Sequence, residues 1–96
     1  DSFHRAAGSA TIYDLPDGRR ILRFENFEAT NGPDLRVLLA KGGDPASSIE
    51  LGELKGNKGN QNYDIAASVD LSSYDSVIIY CKPFHVIFGT ASIRAL

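Results

Sequence analysis

Cys81 and His85 are the two side chains of this chain whose types and spacing could do redox or metal chemistry. They stand four positions apart in the apolar and aromatic segment IIYCKPFHVIFG, and Cys81 is the only cysteine. A thiolate with an imidazole suits copper, zinc or haem iron. An unpaired cysteine, however, is commonly a small buried hydrophobe. The segment therefore predicts either a ligand pair or a core cysteine.

The local backbone geometry decides whether Cys81 and His85 can meet. On one straight strand they would share a face but lie about 13 Å apart at about 3.3 Å per residue, too far for one ion. A turn at Lys82 and Pro83 would fold the segment back. A three-residue loop would then put Cys81 opposite His85, whereas a two- or four-residue loop would take His85 off that face. A β-bulge would exchange the faces of the sheet on which the side chains after it lie.

Other ligands and catalytic groups are sparse in the sequence. A blue copper site adds a second histidine and a weak axial ligand such as methionine. The chain has no methionine, and its other histidine, His4, is close to the first residue. The segment FENFEATNGPD matches no calcium loop, and we expect Asn31 and Asp34 to bond nearby backbone groups in a turn. No catalytic triad, nucleotide loop or paired-carboxylate motif stands out, so the domain is not expected to be an enzyme by itself.

The elements that must position these residues are predicted to be strands. The turn sequences LPDGR, TNGPD, KGGDP and KGNKGNQN punctuate the chain, and only short elements fit between them. The segment TIYDLPDGRRIL is typical of a hairpin, with Pro16 and Gly18 in its turn. Further strands are predicted at 49–54, 62–65, 76–82, 84–88 and 90–95.

Side chains alternate with a period of two where the pattern can be tested. Leu22 and Phe24 share one face of their strand, and Val77, Ile79 and Cys81 share one face of theirs. We therefore predict an all-β fold, an antiparallel β-sandwich or small β-barrel of about eight to ten short strands.

Composition limits the classes of function. Ninety-six residues fit one compact domain over residues 1–96. A net charge of −2 with dispersed basic residues argues against nucleic acid as a partner. No apolar run is long enough to span a bilayer. The chain does not begin with methionine or a leader, so we expect it to be part of a longer or processed protein.

Three blocks of the sequence resemble a known family. LRFENFEATNGPDLRVLLA, LGELKGNKGNQNYDI and VDLSSYDSVIIYCKPFHVIFGTASI are similar, in order and nearly end to end, to the DM-thirteen or electron-transfer domain. The resemblance implies an extracytoplasmic all-β domain of the periplasm, cell envelope or cell surface. It also implies electron transfer with a redox partner domain or a membrane cytochrome.

The resemblance also carries residue assignments. Cys81 aligns with the family's characteristic cysteine, and the resemblance implies that it is a bare redox thiol or a ligand of haem or a metal. Tyr80 stands where the family often has tryptophan, so an aromatic neighbour is kept. His85 stands at a position expected to vary, which makes it only a weak ligand candidate.

Two functional hypotheses stay open at this point. The first is an extracytoplasmic redox or electron-transfer module centred on Cys81, with or without a haem or transition metal, and with Tyr80, Phe84 and Phe88 around the site. Its predicted loop rim consists of Asn57, Asn60, Asn62, Tyr63 and Asp64. The second is a cofactor-free module that binds a protein or glycan and packs Cys81 in its core.

Overall fold

A curled β-sheet makes up most of the molecule. The computed structural model describes residues 6–95, and its seven strands lie in the order β4, β3, β6, β7, β1, β2, β5. The sheet curls into a half-barrel. The strands are β1 (Ala6–Asp14), β2 (Arg20–Ala29), β3 (Leu35–Lys41), β4 (Asp44–Glu53), β5 (Gln61–Ile65), β6 (Ser76–Cys81) and β7 (Val86–Ala95).

Two further features complete the element list. One turn of 3-10 helix spans Leu71–Ser73, where the sequence allows a single helical turn at most. Within residues 6–95, no helix has the length and apolar character needed to cross a membrane.

The curl of the sheet brings its two edge strands towards each other. Lys55, just beyond the end of β4, donates its backbone N–H to the Tyr63 hydroxyl on β5 over 2.8 Å. Burial raises the pKa of the Tyr63 phenol. The inner face therefore wraps around a core instead of packing against a second sheet.

The core follows the alternation of side chains along the strands. The inner face buries apolar residues from β1, β2, β3, β5, β6 and β7, with Leu22, Val37 and Leu39 fully inaccessible. A smaller cluster on the outer face is formed by Leu38, Ala40 and Ile78, with Tyr80 packed against it. Both faces of β3 and β6 are thus covered, as is expected of strands at the centre of a sheet.

The all-β prediction is confirmed, and so is the hairpin of β1 and β2, whose ends pair Asp14 with Arg20. Residues 6–95 form seven strands, fewer than the predicted eight to ten. Residues 86–88 and 90–95 belong to one strand, β7, because Gly89 pairs with Ile79 inside it and does not end it. Phe84 and His85 lie in the turn before this strand. The sheet is also mixed, since β1 and β7 are parallel.

The backbones of β1 and β2 approach each other closely at Gly8. Gly8 has a φ of 133° and lies where the register of the two strands shifts. A Cβ added there would lie 2.9 Å from the Phe27 Cα and 3.0 Å from the Glu25 carbonyl oxygen. Only glycine fits without moving one of the two strands.

We expect Gly8→Ala to lower the free energy of unfolding by about 3 kcal/mol, because it combines backbone strain with a backbone clash. Gly18→Ala is the matched control: its φ is 90°, but nothing lies within 4 Å of the added Cβ. That variant should lose only about 1 kcal/mol. Urea unfolding of both proteins measures the difference, and equal losses would contradict the close approach at Gly8.

Candidate functional site

Cys81 ends β6 and points into the core. Strand alternation sends Val77, Ile79 and Cys81 to the inner cluster and Ile78 to the outer one, as the sequence predicts. Cys81 is 1% exposed and forms no disulfide. The thiol is therefore surrounded by apolar side chains and is closed to solvent in this packing.

The turn after Cys81 separates it from His85. Cys81 pairs with Val86, which leaves a four-residue loop, and His85 adopts a left-handed φ of 54°. The His85 Nδ1 lies 3.1 Å from the Tyr80 hydroxyl. Tyr80 packs against the outer cluster, so His85 lies on the opposite face of the sheet from the thiol. The Cys81–His85 ligand pair is not formed.

Of the three aromatic residues predicted to surround Cys81, one does so. Phe88 belongs to the inner cluster that contains Cys81. The register steps from Ile79↔Gly89 to Tyr80↔Ile87, and Phe88 is the extra residue of the resulting bulge. Of the other two, Tyr80 packs against the outer cluster and Phe84 is an exposed turn residue.

Residues 30–34, here called the covering loop, close the end of the half-barrel above Cys81. Leu35, the residue after this loop, pairs with Cys81. A Cβ on Gly32 would lie 2.8 Å from the Leu35 Cδ2 and 3.1 Å from the Phe88 Cζ. The Lys82 N–H donates to the Asp34 carbonyl over 3.0 Å. The loop therefore packs directly on side chains of the cluster that holds the thiol.

The far side of the covering loop faces solvent. A polar cleft of about 320 Å³ lies between this loop and the loop that joins β4 to β5. Gly32 and Leu35 line this cleft, and Asn57 lines its other wall. One layer of backbone thus separates the cleft from the core around Cys81.

Ion pairs anchor the covering loop at its C-terminal end, where Asp34 is its last residue. Arg36 donates from Nε to an Asp34 carboxylate oxygen over 2.7 Å and from Nη1 to a Glu50 carboxylate oxygen over 2.6 Å. The hydrogen bond from Arg36 holds the pKa of Asp34 below its usual value. Asp34 therefore bonds a side chain, where the sequence predicts that it bonds backbone groups.

The five predicted rim residues occupy different environments. Asn57 and Asn60 are exposed in the loop between β4 and β5, and Asn60 accepts the Asn26 N–H over 2.9 Å. Asn62 and Asp64 are exposed on β5. Tyr63 is 3% exposed and belongs to the core, so its ring is not part of an accessible rim.

The residues around Cys81 do not fit a haem or a metal ion. Within residues 6–95, no three His, Cys, Asp or Glu side chains come together as ligands would. Cys81 does not line the cleft of about 320 Å³ beyond the covering loop. The pocket lined by Ala10, Phe24 and Ile79 of the inner cluster holds about 10 Å³, roughly the room for one water. A haem would need a cleft of several hundred Å³ that reaches the thiol. His4 lies outside the described residues.

Sequence reasoning missed the covering loop and the exposed side chains beyond Cys81. The glycine in TNGPD is a general turn signal and does not indicate contact with Leu35 and Phe88. The sequence predicts a strand at 84–88, but Phe84 lies in the turn, and Val86 and Ile87 are exposed. The sequence allows a turn at Lys82 and Pro83 as an alternative, but it leaves the length of that turn open.

Comparison with known proteins gives one match. A family profile described as "Electron transfer DM13" matches residues 1–93 of the 96-residue chain. No curated protein and no solved structure matches the chain significantly.

The burial of Cys81 predicts how the chain responds to its replacement. Cys81→Ser should lower the free energy of unfolding by roughly 1–3 kcal/mol, because it buries a hydroxyl among apolar groups. Cys81→Ala removes the sulfur without adding a polar group and should cost about 1 kcal/mol. Urea unfolding compares the two. A serine variant as stable as wild type would contradict an apolar site.

Proposed function

The chain belongs to the electron-transfer DM13 family, and we propose that it is an extracytoplasmic electron-transfer module whose redox group is the Cys81 thiol itself. The position of the thiol carries this proposal. Cys81 is the only cysteine, and one covering loop lies between its cluster and an open cleft. Since its neighbours do not fit a haem or metal, a thiol without a cofactor is the form of electron transfer that they support best.

The chemistry proposed for Cys81 is thiol–disulfide exchange with a partner that carries a disulfide. The thiol loses its proton to solvent, and the thiolate attacks one sulfur of that disulfide. A bond forms between the Cys81 Sγ and that sulfur, the partner's S–S bond breaks, and the released sulfur leaves as a thiolate and is protonated.

A second partner that carries two thiols then completes the transfer. One of these thiols loses its proton and attacks the Cys81 Sγ in the mixed disulfide, and the first partner's remaining sulfur leaves as a thiolate and is protonated. The second partner's other thiol loses its proton and attacks the second partner's own sulfur in the new mixed disulfide, and Cys81 leaves as a thiolate and regains a proton. The first partner's disulfide is thereby reduced by two electrons to two thiols, and the second partner's two thiols are oxidised to a disulfide. Cys81 ends unchanged, as expected of a carrier.

Access to the thiol requires movement, because Cys81 is closed to solvent in this packing. The covering loop is the segment to move, since it has the cleft on one side and the Cys81 cluster on the other. Its contacts include the Lys82 N–H to Asp34 bond and the Asp34–Arg36 ion pair. Partly exposed ion pairs of this kind contribute little stability, so a local opening costs less than unfolding the sheet.

The second candidate function is a cofactor-free module that binds a protein or glycan and keeps Cys81 as a structural residue. The observation that favours it is the burial of Cys81 among apolar side chains, which is typical of inert cysteines. Under this alternative the exposed Asn57 and Asn60 would contact the partner. The thiol would be reached only when the whole domain unfolds.

The rate at which the folded protein reacts with dithiodipyridine, a small aromatic disulfide, separates the two functions. We expect Cys81 to react through local opening, at a rate that changes little with urea below the unfolding transition. Gly32→Ala places a methyl group against Leu35 and Phe88 and should raise the rate at least about fivefold, the effect of about 1 kcal/mol on the opening. The absorbance of the released thiopyridone gives the rate.

Gly18→Ala is the matched control, because it lies in the loop between β1 and β2 at the opposite end of the half-barrel. It should destabilise the fold but leave the thiol reaction unchanged. A rate that climbs steeply with urea, and that rises in both variants in proportion to their lost stability, would mean access by global unfolding only. That result would favour the structural cysteine.

A further inference from the structure

The large apolar side chains that are exposed in residues 6–95 gather in one place. They are Phe84 at 67%, Val86 at 36% and Ile87 at 40% exposure. Single exposed apolar residues are ordinary on a protein surface, but a cluster needs an explanation. These three lie within four positions of the turn between β6 and β7. Residues 82–87 are called the hairpin tip below.

The backbone explains why the side chains of the hairpin tip face solvent. Phe84 lies in the four-residue turn, and Val86 is the first residue of β7. Ile87 pairs with Tyr80, whose ring packs against the outer cluster of Leu38, Ala40 and Ile78. Ile87 is therefore continuous with an apolar strip on the outer face of the sheet, whereas Val86, which pairs with Cys81, lies on the inner side.

The charge of the hairpin tip has one sign. Residues 82–87 contain Lys82 and His85 and no carboxylate. The acidic side chains at its border are held by cations: Glu50 lies 2.6 Å from Arg36 and 3.9 Å from Lys82, and Asp34 lies 2.7 Å from Arg36. The tip thus combines apolar groups with one lysine and one histidine and carries no carboxylate of its own.

The size of the patch argues against a stable protein interface. Such an interface buries about 800 Å² on each partner, with some twenty residues or more, and three side chains supply only a small part of that area. A bilayer surface accepts a few projecting side chains without a matching shape. Aromatic rings are enriched at its interface, and lysines extend to its head groups.

We propose that the hairpin tip docks on a lipid bilayer. Phe84, Val86 and Ile87 enter the boundary between head groups and acyl chains, and Lys82 and His85 face the phosphates. This surface is the end of the β6–β7 hairpin, where the exposed side chains lie beyond the Cys81 cluster. The proposal goes beyond electron transfer and does not depend on the chemistry of Cys81.

Tryptophan fluorescence tests the docking, because the chain has no tryptophan of its own. Phe84→Trp puts a single reporter at the tip. With vesicles of phosphatidylcholine and phosphatidylglycerol, we expect its emission to shift to the blue and to be quenched by brominated acyl chains. Ser68→Trp, an exposed position at the opposite end of the half-barrel, should show neither change.

Substitutions in the Phe84→Trp protein identify the contacts. Ile87→Ser should weaken vesicle binding about fivefold, since it removes a partly inserted apolar side chain. Lys82→Ala should weaken binding to the vesicles that contain phosphatidylglycerol more than to pure phosphatidylcholine. Lys41 is an exposed lysine at the far end of β3, and Lys41→Ala is the matched control. It should leave binding to both kinds of vesicle unchanged.

Three results would overturn the proposal. One is an emission that does not respond to either kind of vesicle. Another is an equal response from Phe84→Trp and Ser68→Trp, which would indicate non-specific adsorption. The third is a blue shift that grows with protein concentration in the absence of lipid, which would show that a second copy of the chain covers the tip.

Discussion

The register of β6 between β3 and β7 is the constraint on which the rest of this end of the molecule depends. β6 is hydrogen-bonded on both sides, with Cys81 opposite Leu35 on one neighbour and opposite Val86 on the other. A slip by one residue would turn Val77, Ile79 and Cys81 out of the core. Because both neighbours would have to slip together, the inward position of the thiol is strongly specified.

The same register gives the two sides of the hairpin opposite properties. On the inner side it places the thiol under the covering loop, where apolar packing shields it from adventitious oxidation and also from a partner. Beyond the strands the four-residue turn leaves Phe84 in solvent, and Ile87, which pairs with Tyr80, is exposed on the outer side. Burial of the thiol and exposure of the tip are therefore two consequences of one local geometry.

Local patterns explain which parts of the structure could be predicted from the sequence. Side-chain alternation depends only on neighbouring residues, so the inward positions of Leu22, Phe24 and Cys81 followed from period two. The hairpin of β1 and β2 followed from the turn residues between them. The family could be identified because three blocks of sequence agree in order.

Other features depend on contacts that are distant in sequence. The parallel pairing of β1 with β7 joins the two ends of the chain, which no local pattern specifies. The length of the turn after Cys81 and the bulge at Phe88 decide the positions of His85 and Ile87, and several loop lengths fit the same residues. The contact of Gly32 with Leu35 and Phe88 requires the curled sheet to be in place.

The central claim is that the fold surrounds Cys81 with side chains that suit a thiol and no cofactor. An absorption spectrum with elemental analysis tests this most directly, on protein made with haem precursor, iron and copper available and compared with Cys81→Ala. We predict the same spectrum and metal content for both proteins, with no visible band that depends on Cys81. A Soret band or a thiolate-to-copper band that disappears in Cys81→Ala would contradict the account.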